Sequence, residues 1–261
     1  ELRGTSIPFR YNSKEEFESI LQRHGEKLAA VVMEPCRFTP PENGFLEQIR
    51  ESTRRCGALL IFDEITVGWR LCLGGAHLRF GVTPDIAVFA KALGNGHPMG
   101  AVIGTRDAMA GANDSFISST YWTESVGPVA ALATIEKMGR VDVAAHVHRA
   151  GGRIVKHWQE AAARHGLATT TGDGFPCLAH FRFEHQHEPE LRTLYTQLML
   201  DRGFLAGCTV YPTLAHDDGV IDLYARAIDE VFAEIATAIR EGSVTQRLKG
   251  PVAQSGFKRL T

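Results

Sequence analysis

Nowhere in its 261 residues does the chain hold an apolar run approaching the ~20 residues that a membrane-spanning helix needs. Its first residues, ELRGTSIPFR, lack the basic-then-apolar pattern of a secretory signal. Cysteine is scarce: Cys36, Cys56, Cys72, Cys177 and Cys208 are odd in number, scattered, and form no C-x-x-C pair. That excludes a disulfide framework or a cysteine zinc site and leaves reduced thiols of a cytoplasmic protein as the expectation. Charge of one sign is not in excess, with 28 basic against 30 acidic residues, so neither nucleic acid nor an anionic membrane is an expected partner. Internal repeats and low-complexity segments are absent. The histidines form no metal set: His146 and His148 are two apart and point to different faces of a helix, and His185 and His187 have no third ligand nearby. What is present is 44% hydrophobic and 22% charged residues, enough for one large or two smaller globular domains.

The pattern is that of an α/β protein. Ser13-Lys14-Glu15-Glu16 reads as a capping box ahead of a helix carrying Phe17, Ile20 and Leu21. Leu28–Met33 reads as a buried strand ending in Glu34-Pro35, and Phe45–Arg55 as a helix closed by Gly57. Apolar runs of strand length follow at Ala58–Phe62, Ile86–Phe89 and Ala101–Gly104, the last a candidate antiparallel strand. This alternation predicts a mostly parallel, doubly wound sheet. Helices are expected at about 125–138, 141–165 and Glu188–Arg202, and strands at Cys177–Phe183 and Cys208–Tyr211. A stripe from Ile221 through Tyr224, Ile228, Val231, Phe232 and Ile235 to Ile239 marks the core face of a last helix, and Ser243–Thr261 reads as a tail.

Two of the strands end in charge. Ala58–Phe62 runs into Asp63-Glu64, and Ile86–Phe89 delivers Lys91. In a parallel sheet, ligands sit beyond the carboxyl ends of the strands, so an acid and an amine on one rim beside Gly94, Gly96 and Gly100 form a candidate active site. Each feature alone has a plainer reading as a solvated surface charge. LLIFDE also fits the Walker B pattern of a nucleotide hydrolase, but the G-x-x-x-x-G-K-[ST] loop that such an enzyme needs does not occur.

Taken together, MEP (Met33–Pro35), PENGFLEQIRE (Pro41–Glu51), GALLIFDEITVGWR (Gly57–Arg70), FAKALGNGHPMGAVIG (Phe89–Gly104) and TESVGPVAA (Thr123–Ala131) resemble the class III aminotransferases. That is the fold-type I pyridoxal-phosphate (PLP) group that includes glutamate-1-semialdehyde aminomutase. The resemblance implies a PLP-transferase-like large domain whose second half is residues 1–144, and a smaller C-terminal α/β lobe with a tail at 145–261. It implies Lys91 as the amine that carries the cofactor as a Schiff base and Asp63 as the partner of the ring nitrogen. Ile65 would pack on the ring, and Thr123 would reach the cofactor phosphate across a homodimer with shared active sites. The alternative for Thr123 or Ser125 is a helix cap. Glu34 would stand near the substrate entrance. The implied reaction moves an amino group between a small-molecule amino donor and a carbonyl acceptor, with an aminomutase as the alternative. The family's Glu-Pro motif lies near mid-chain but here is at position 34, so the portion that would hold the family's phosphate-cradling loop and ring-stacking aromatic is expected to be missing from this sequence. A fragment that does not retain PLP is therefore a further expectation to test.

Overall fold

In the computed structural model, which describes residues 4–118, 120 and 123–254, the chain forms two compact units that divide between Ala144 and Ala145. The first unit opens with α1 (Lys14–His24), β1 (Ala30–Met33), α2 (Phe45–Cys56) and β2 (Leu59–Asp63). It continues through α3 (Ala76–Phe80), β3 (Ile86–Phe89), β4 (Ala101–Gly104), α4 (Arg106–Ala110) and α5 (Val126–Arg140). The start of α1 is where the sequence puts it, but no capping box forms. The Ser13 side chain caps nothing, and Glu16 accepts from the main-chain and side-chain N–H groups of Arg10 at 2.9 and 3.0 Å. The end of α2 follows expectation: Gly57 turns left-handed, and the N–H groups of Gly57 and Ala58 close onto Arg54 and Thr53 carbonyls.

The strands lie in the order β1-β2-β3-β4, parallel except for the antiparallel β3–β4 pair. Register places Val31, Leu60, Phe62, Ala87 and Phe89 on one face. That face is buried, against Phe17, Phe45, Leu46 and Ile49 of α1 and α2 and against Ala131 of α5. The other row holds Val32, Ile61, Asp63, Val88 and Val102. Here Val32 and Val102 are 64% and 54% exposed. A doubly wound sheet carries helices on both faces, whereas the described residues cover only one. Apolar strands state that both faces suit burial; what does the covering is a tertiary matter.

One partly buried ion pair aligns the strand ends. Arg50 of α2 donates twice to Asp85, at 2.6 and 2.8 Å, and the Leu60 N–H donates to the same carboxylate at 2.8 Å. Asp85 thus ties α2 to β2 and to the start of β3. The Arg50 hydrogen bonds hold its carboxyl below the usual carboxylate range.

The second unit contains α6 (Val143–His165), which starts just ahead of the division, then β5 (Thr169–Thr171), β6 (Ala179–Phe183), α7 (Glu188–Asp201), β7 (Thr209–Val210) and α8 (Asp218–Arg240). Its three strands form an antiparallel sheet in the order β5-β6-β7. The apolar stripe of α8 is core, packed with Trp158, Phe181, Phe183 and Tyr195. Inside that core the Trp158 indole donates to the Tyr224 hydroxyl at 3.0 Å, which is also bonded to the Tyr195 hydroxyl at 2.9 Å. The segment read as a tail is held for part of its length. Val244 is buried, Gln197 donates to the Arg247 carbonyl at 2.9 Å, and the Ala253 N–H donates to Thr193 at 3.0 Å.

Candidate active site

The parallel pairing of β2 with β3 sets Asp63 beside Val88, and the Glu64 N–H donates to the Val88 carbonyl at 2.8 Å. Lys91 follows after one extended residue, Ala90, and sits in the left-handed region at φ 46°. A lysine held there costs about 1–3 kcal/mol and persists only where its surroundings demand it. The 3-10 turn Lys91–Leu93 supplies that demand, packing Leu93 with Phe89 and Ala131. Asp63 and Lys91 therefore end neighbouring parallel strands on one rim. Glu34 follows Met33, the register partner of Phe62, so it stands at the same end of the sheet, with β2 between its strand and that of Lys91.

The two acids of Asp63-Glu64 have opposite fates. Asp63 uses one oxygen to accept from the Ile65 N–H at 2.9 Å, which folds the turn, and its other oxygen meets no described donor. The Glu64 side chain is wholly buried. It accepts from the N–H groups of Ala76 and His77 at 2.8 and 2.9 Å and is paired with the His77 ring at 2.8 Å. It caps α3 and pins the 71–77 segment beneath the rim. Gly75 leaves room for this: a Cβ there would lie 2.3 Å from the His77 ring and 2.9 Å from the Glu64 carboxylate. A catalytic Walker B acid has to reach a metal-bound nucleotide, and a carboxylate consumed in this way cannot.

Thr66 is the residue that sequence reasoning missed. It is buried, and its Oγ1 accepts from Lys91 Nζ at 2.9 Å. The Thr66 carbonyl accepts from Arg70 Nε at 2.9 Å, and the Gly68 N–H donates to the Glu64 carbonyl at 2.8 Å, so the turn is braced on both sides. The hydroxyl was visible in D-E-I-T, but no spacing rule links position 66 to position 91. Lys91 itself is exposed and makes no ion pair with a described residue. Among the described residues, the amine is bound only to a neutral hydroxyl and the carboxylate has an oxygen to spare, and the two share one rim. That donor set suits a cofactor with an aldehyde and a basic ring nitrogen.

Of the remaining candidates, only Ile65 adjoins this pair. Ile65 is half-buried beside Asp63. Glu34 is bonded to Arg37 at 2.9 Å and lines a cavity of about 480 Å³ with Ile7, Phe9, Tyr11, Val32 and Phe38. Its other oxygen is buried without a described partner. Thr123 is exposed, three residues ahead of α5. Neither it nor Ser125 caps that helix: Glu124 accepts from the N–H groups of Val126 and Gly127 at 2.5 and 3.2 Å. The first turn of α5 is therefore already supplied with an anion.

Residues 9–231 match the model of the family described as Aminotransferase class-III. The chain belongs to the class III aminotransferase family. It is similar to the glutamate-1-semialdehyde 2,1-aminomutase of Thermomicrobium roseum, at 44% identity over 48% of this chain and 31% of that one. It is also similar to the 3-aminobutyryl-CoA aminotransferase of Cloacimonas acidaminovorans, at 32% identity over 87% of this chain and 58% of that protein. Among solved structures, the FumI protein of Sphingopyxis sp. MTA144 in its PLP internal aldimine form superposes with a TM-score of 0.81 at 21% identity, over 90% of this chain and 58% of that one. At that identity the superposition shows a shared fold and no more. The chain spans three fifths or less of the length of these relatives. Among the described residues no helix is long and apolar enough to cross a membrane.

Proposed function

We propose that this chain carries the catalytic lysine and ring-binding acid of a PLP-dependent aminotransferase, which moves an amino group between a small-molecule amino donor and a carbonyl acceptor. The observation behind the proposal is the rim pair, with Asp63 and Lys91 at the ends of adjacent parallel strands and each with bonding capacity unspent. When bound, PLP supplies an electron sink that makes a proton on the carbon beside the substrate nitrogen removable. The chain's own residues do the rest. Asp63 holds a proton on the ring nitrogen, because a nearby negative charge favours the protonated form. Lys91 anchors the aldehyde end through its amine and, once released, carries a proton between carbons within its reach. Ile65 supplies an aliphatic wall for one ring face.

In this reading Thr123 contributes a hydroxyl to the phosphate from the other subunit of a homodimer, and Glu34 borders the substrate entrance. Residues 1–144 are the second half of the cofactor-binding domain and 145–261 the small domain. Support for dimer formation comes from exposed apolar residues of the first unit: Val102 on β4, Phe116 and Ile117, and Val126, Val129 and Leu132 along α5. The five cysteines are free thiols, which suits the cytoplasm. An aminomutase, which shifts the amino group within one substrate, is the second reading; the relative with 44% identity is named as one.

The test is the visible spectrum of the purified chain with PLP, before and after borohydride, with peptide mapping and Lys91→Ala alongside. A yellow chromophore that reduction fixes on Lys91 is the expected result. A colourless protein whose Lys91 takes up no PLP overturns the enzyme reading for this chain and leaves a non-binding fragment. With a loaded protein, turnover that requires a second carbonyl substrate selects the transferase over the mutase.

A further inference from the structure

We infer that Thr66 is a positioning residue for Lys91, holding its amine at the strand rim whether or not that amine carries a proton. The inference deepens the proposed active site and rests on that reading only for its consequence, since the contact itself is within this chain.

The geometry is specific. Thr66 Oγ1 lies 2.9 Å from Lys91 Nζ. Thr66 is buried, while Lys91 is an exposed residue, so the hydroxyl is the more firmly held member of the pair. It is held for stated reasons: the Ile65 N–H is bonded to Asp63, the Thr66 carbonyl accepts from Arg70, and the Glu64 carboxylate is locked to α3. Lys91 is held at φ 46°, which aims its side chain from a backbone position that a lysine seldom adopts.

The chemistry of the partner matters as much as its place. A hydroxyl is both donor and acceptor, so it accepts from an ammonium and donates to a neutral amine. A carboxylate at position 66 would favour the charged form, in which nitrogen has no lone pair to attack an aldehyde. An aliphatic side chain would hold neither form. Thr66 therefore keeps Nζ in one place across the loss of a proton, the change that a lysine must undergo to act as a nucleophile and then as a proton carrier.

Either form of the bond slows attack by the amine on a small acylating reagent. The ammonium has no lone pair, and the neutral amine has its lone pair engaged by the hydroxyl. The experiment measures acetic anhydride labelling of Lys91 in the unliganded chain at fixed pH, read by peptide mass as a ratio to Lys137 in the same sample. Thr66→Val is expected to raise the Lys91:Lys137 ratio about 2- to 10-fold, the range that loss of one net hydrogen bond gives. Thr66→Ser is expected to keep the parent ratio. A purely structural role would change labelling of both lysines together and leave the ratio flat. Where valine perturbs folding, Thr66→Ala removes the same oxygen without added bulk.

An unchanged ratio in both Thr66→Val and Thr66→Ala, or a serine variant that behaves like valine, overturns the inference. A parallel arm with PLP and borohydride separates this result from the enzyme reading. If Lys91 captures no PLP while its acylation still responds to position 66, the function proposal fails and the positioning role stands. If Lys91 captures PLP equally well in parent and valine proteins and the acylation ratio does not move, the positioning role fails and the function proposal stands.

Discussion

Replacing Glu64 by glutamine exchanges one carboxylate oxygen for an NH₂ group in a place with no access to water. The native carboxylate serves two main-chain donors, from Ala76 at 2.8 Å and His77 at 2.9 Å, and the His77 ring at 2.8 Å. An amide has one acceptor oxygen, so whichever way it turns, one main-chain N–H faces an NH₂ group. A buried donor left without a partner costs about 1–3 kcal/mol. Taking about 2 kcal/mol for Glu64→Gln, the unfolding transition should fall by ~4–8 °C. Glu64→Ala orphans both main-chain donors and leaves a cavity, so about twice that loss is expected. Because the chain has two compact units, a global melt is best paired with a local measurement. Hydrogen exchange followed by mass spectrometry should show peptides covering 74–82 exchanging faster in both variants, with those of α8 unchanged. A glutamine variant that melts with the parent and retains protection at 74–82 would refute the reasoning. It would mean that the 71–77 segment is held by something other than this carboxylate.

Other expectations rest on single contacts. The folded-state pKa of Asp85 is depressed by Arg50, so the stability this carboxylate contributes is complete above the ordinary carboxylate range and is lost as pH falls through the folded value. Asp85→Asn should cost about 2–3 kcal/mol at neutral pH and make the acid arm of a stability–pH curve shallower, as urea titrations between about pH 2 and 7 would show. Gly151 and Gly152 of α6 should respond in opposite directions. A Cβ on Gly151 would lie 1.8 Å from the Pro176 carbonyl, so alanine there should cost about 3 kcal/mol. Alanine at Gly152, where no atom lies within 4 Å, should stabilise by about 0.5–1 kcal/mol in the same denaturation assay. Tyr224→Phe removes the acceptor of the Trp158 indole and the partner of Tyr195, and should cost about 1–3 kcal/mol. Burial pushes the Tyr224 hydroxyl up to about 12, so a spectroscopic alkaline titration of the parent should show a tyrosine that ionises late and is absent from the variant.

Much of this protein can be read from its residues alone. Strand-length apolar runs, the Gly57 stop and the α8 stripe follow from periodicity and backbone chemistry, which are local, and they appear where the pattern puts them. That Asp63 and Lys91 share a rim was legible because apolar runs of strand length end just ahead of each and their alternation with helices predicts parallel pairing. Local pattern could not tell Asp63 from Glu64. Adjacent acids look alike in sequence, and only the return of the 71–77 segment decides that one is buried under Ala76 and His77 while the other keeps an oxygen that no described donor meets. Nor could it show that Arg10 takes the acid of an apparent capping box, or that Glu124 takes the α5 donors ahead of Thr123 and Ser125. Thr66 is the clearest case. Its role is a contact between positions 25 apart in sequence, made by the parallel pairing of β2 with β3 and by the left-handed turn at Lys91. Propensity and motif act along the chain. Which hydroxyl meets which amine is settled by strand register and by the packing that fixes it.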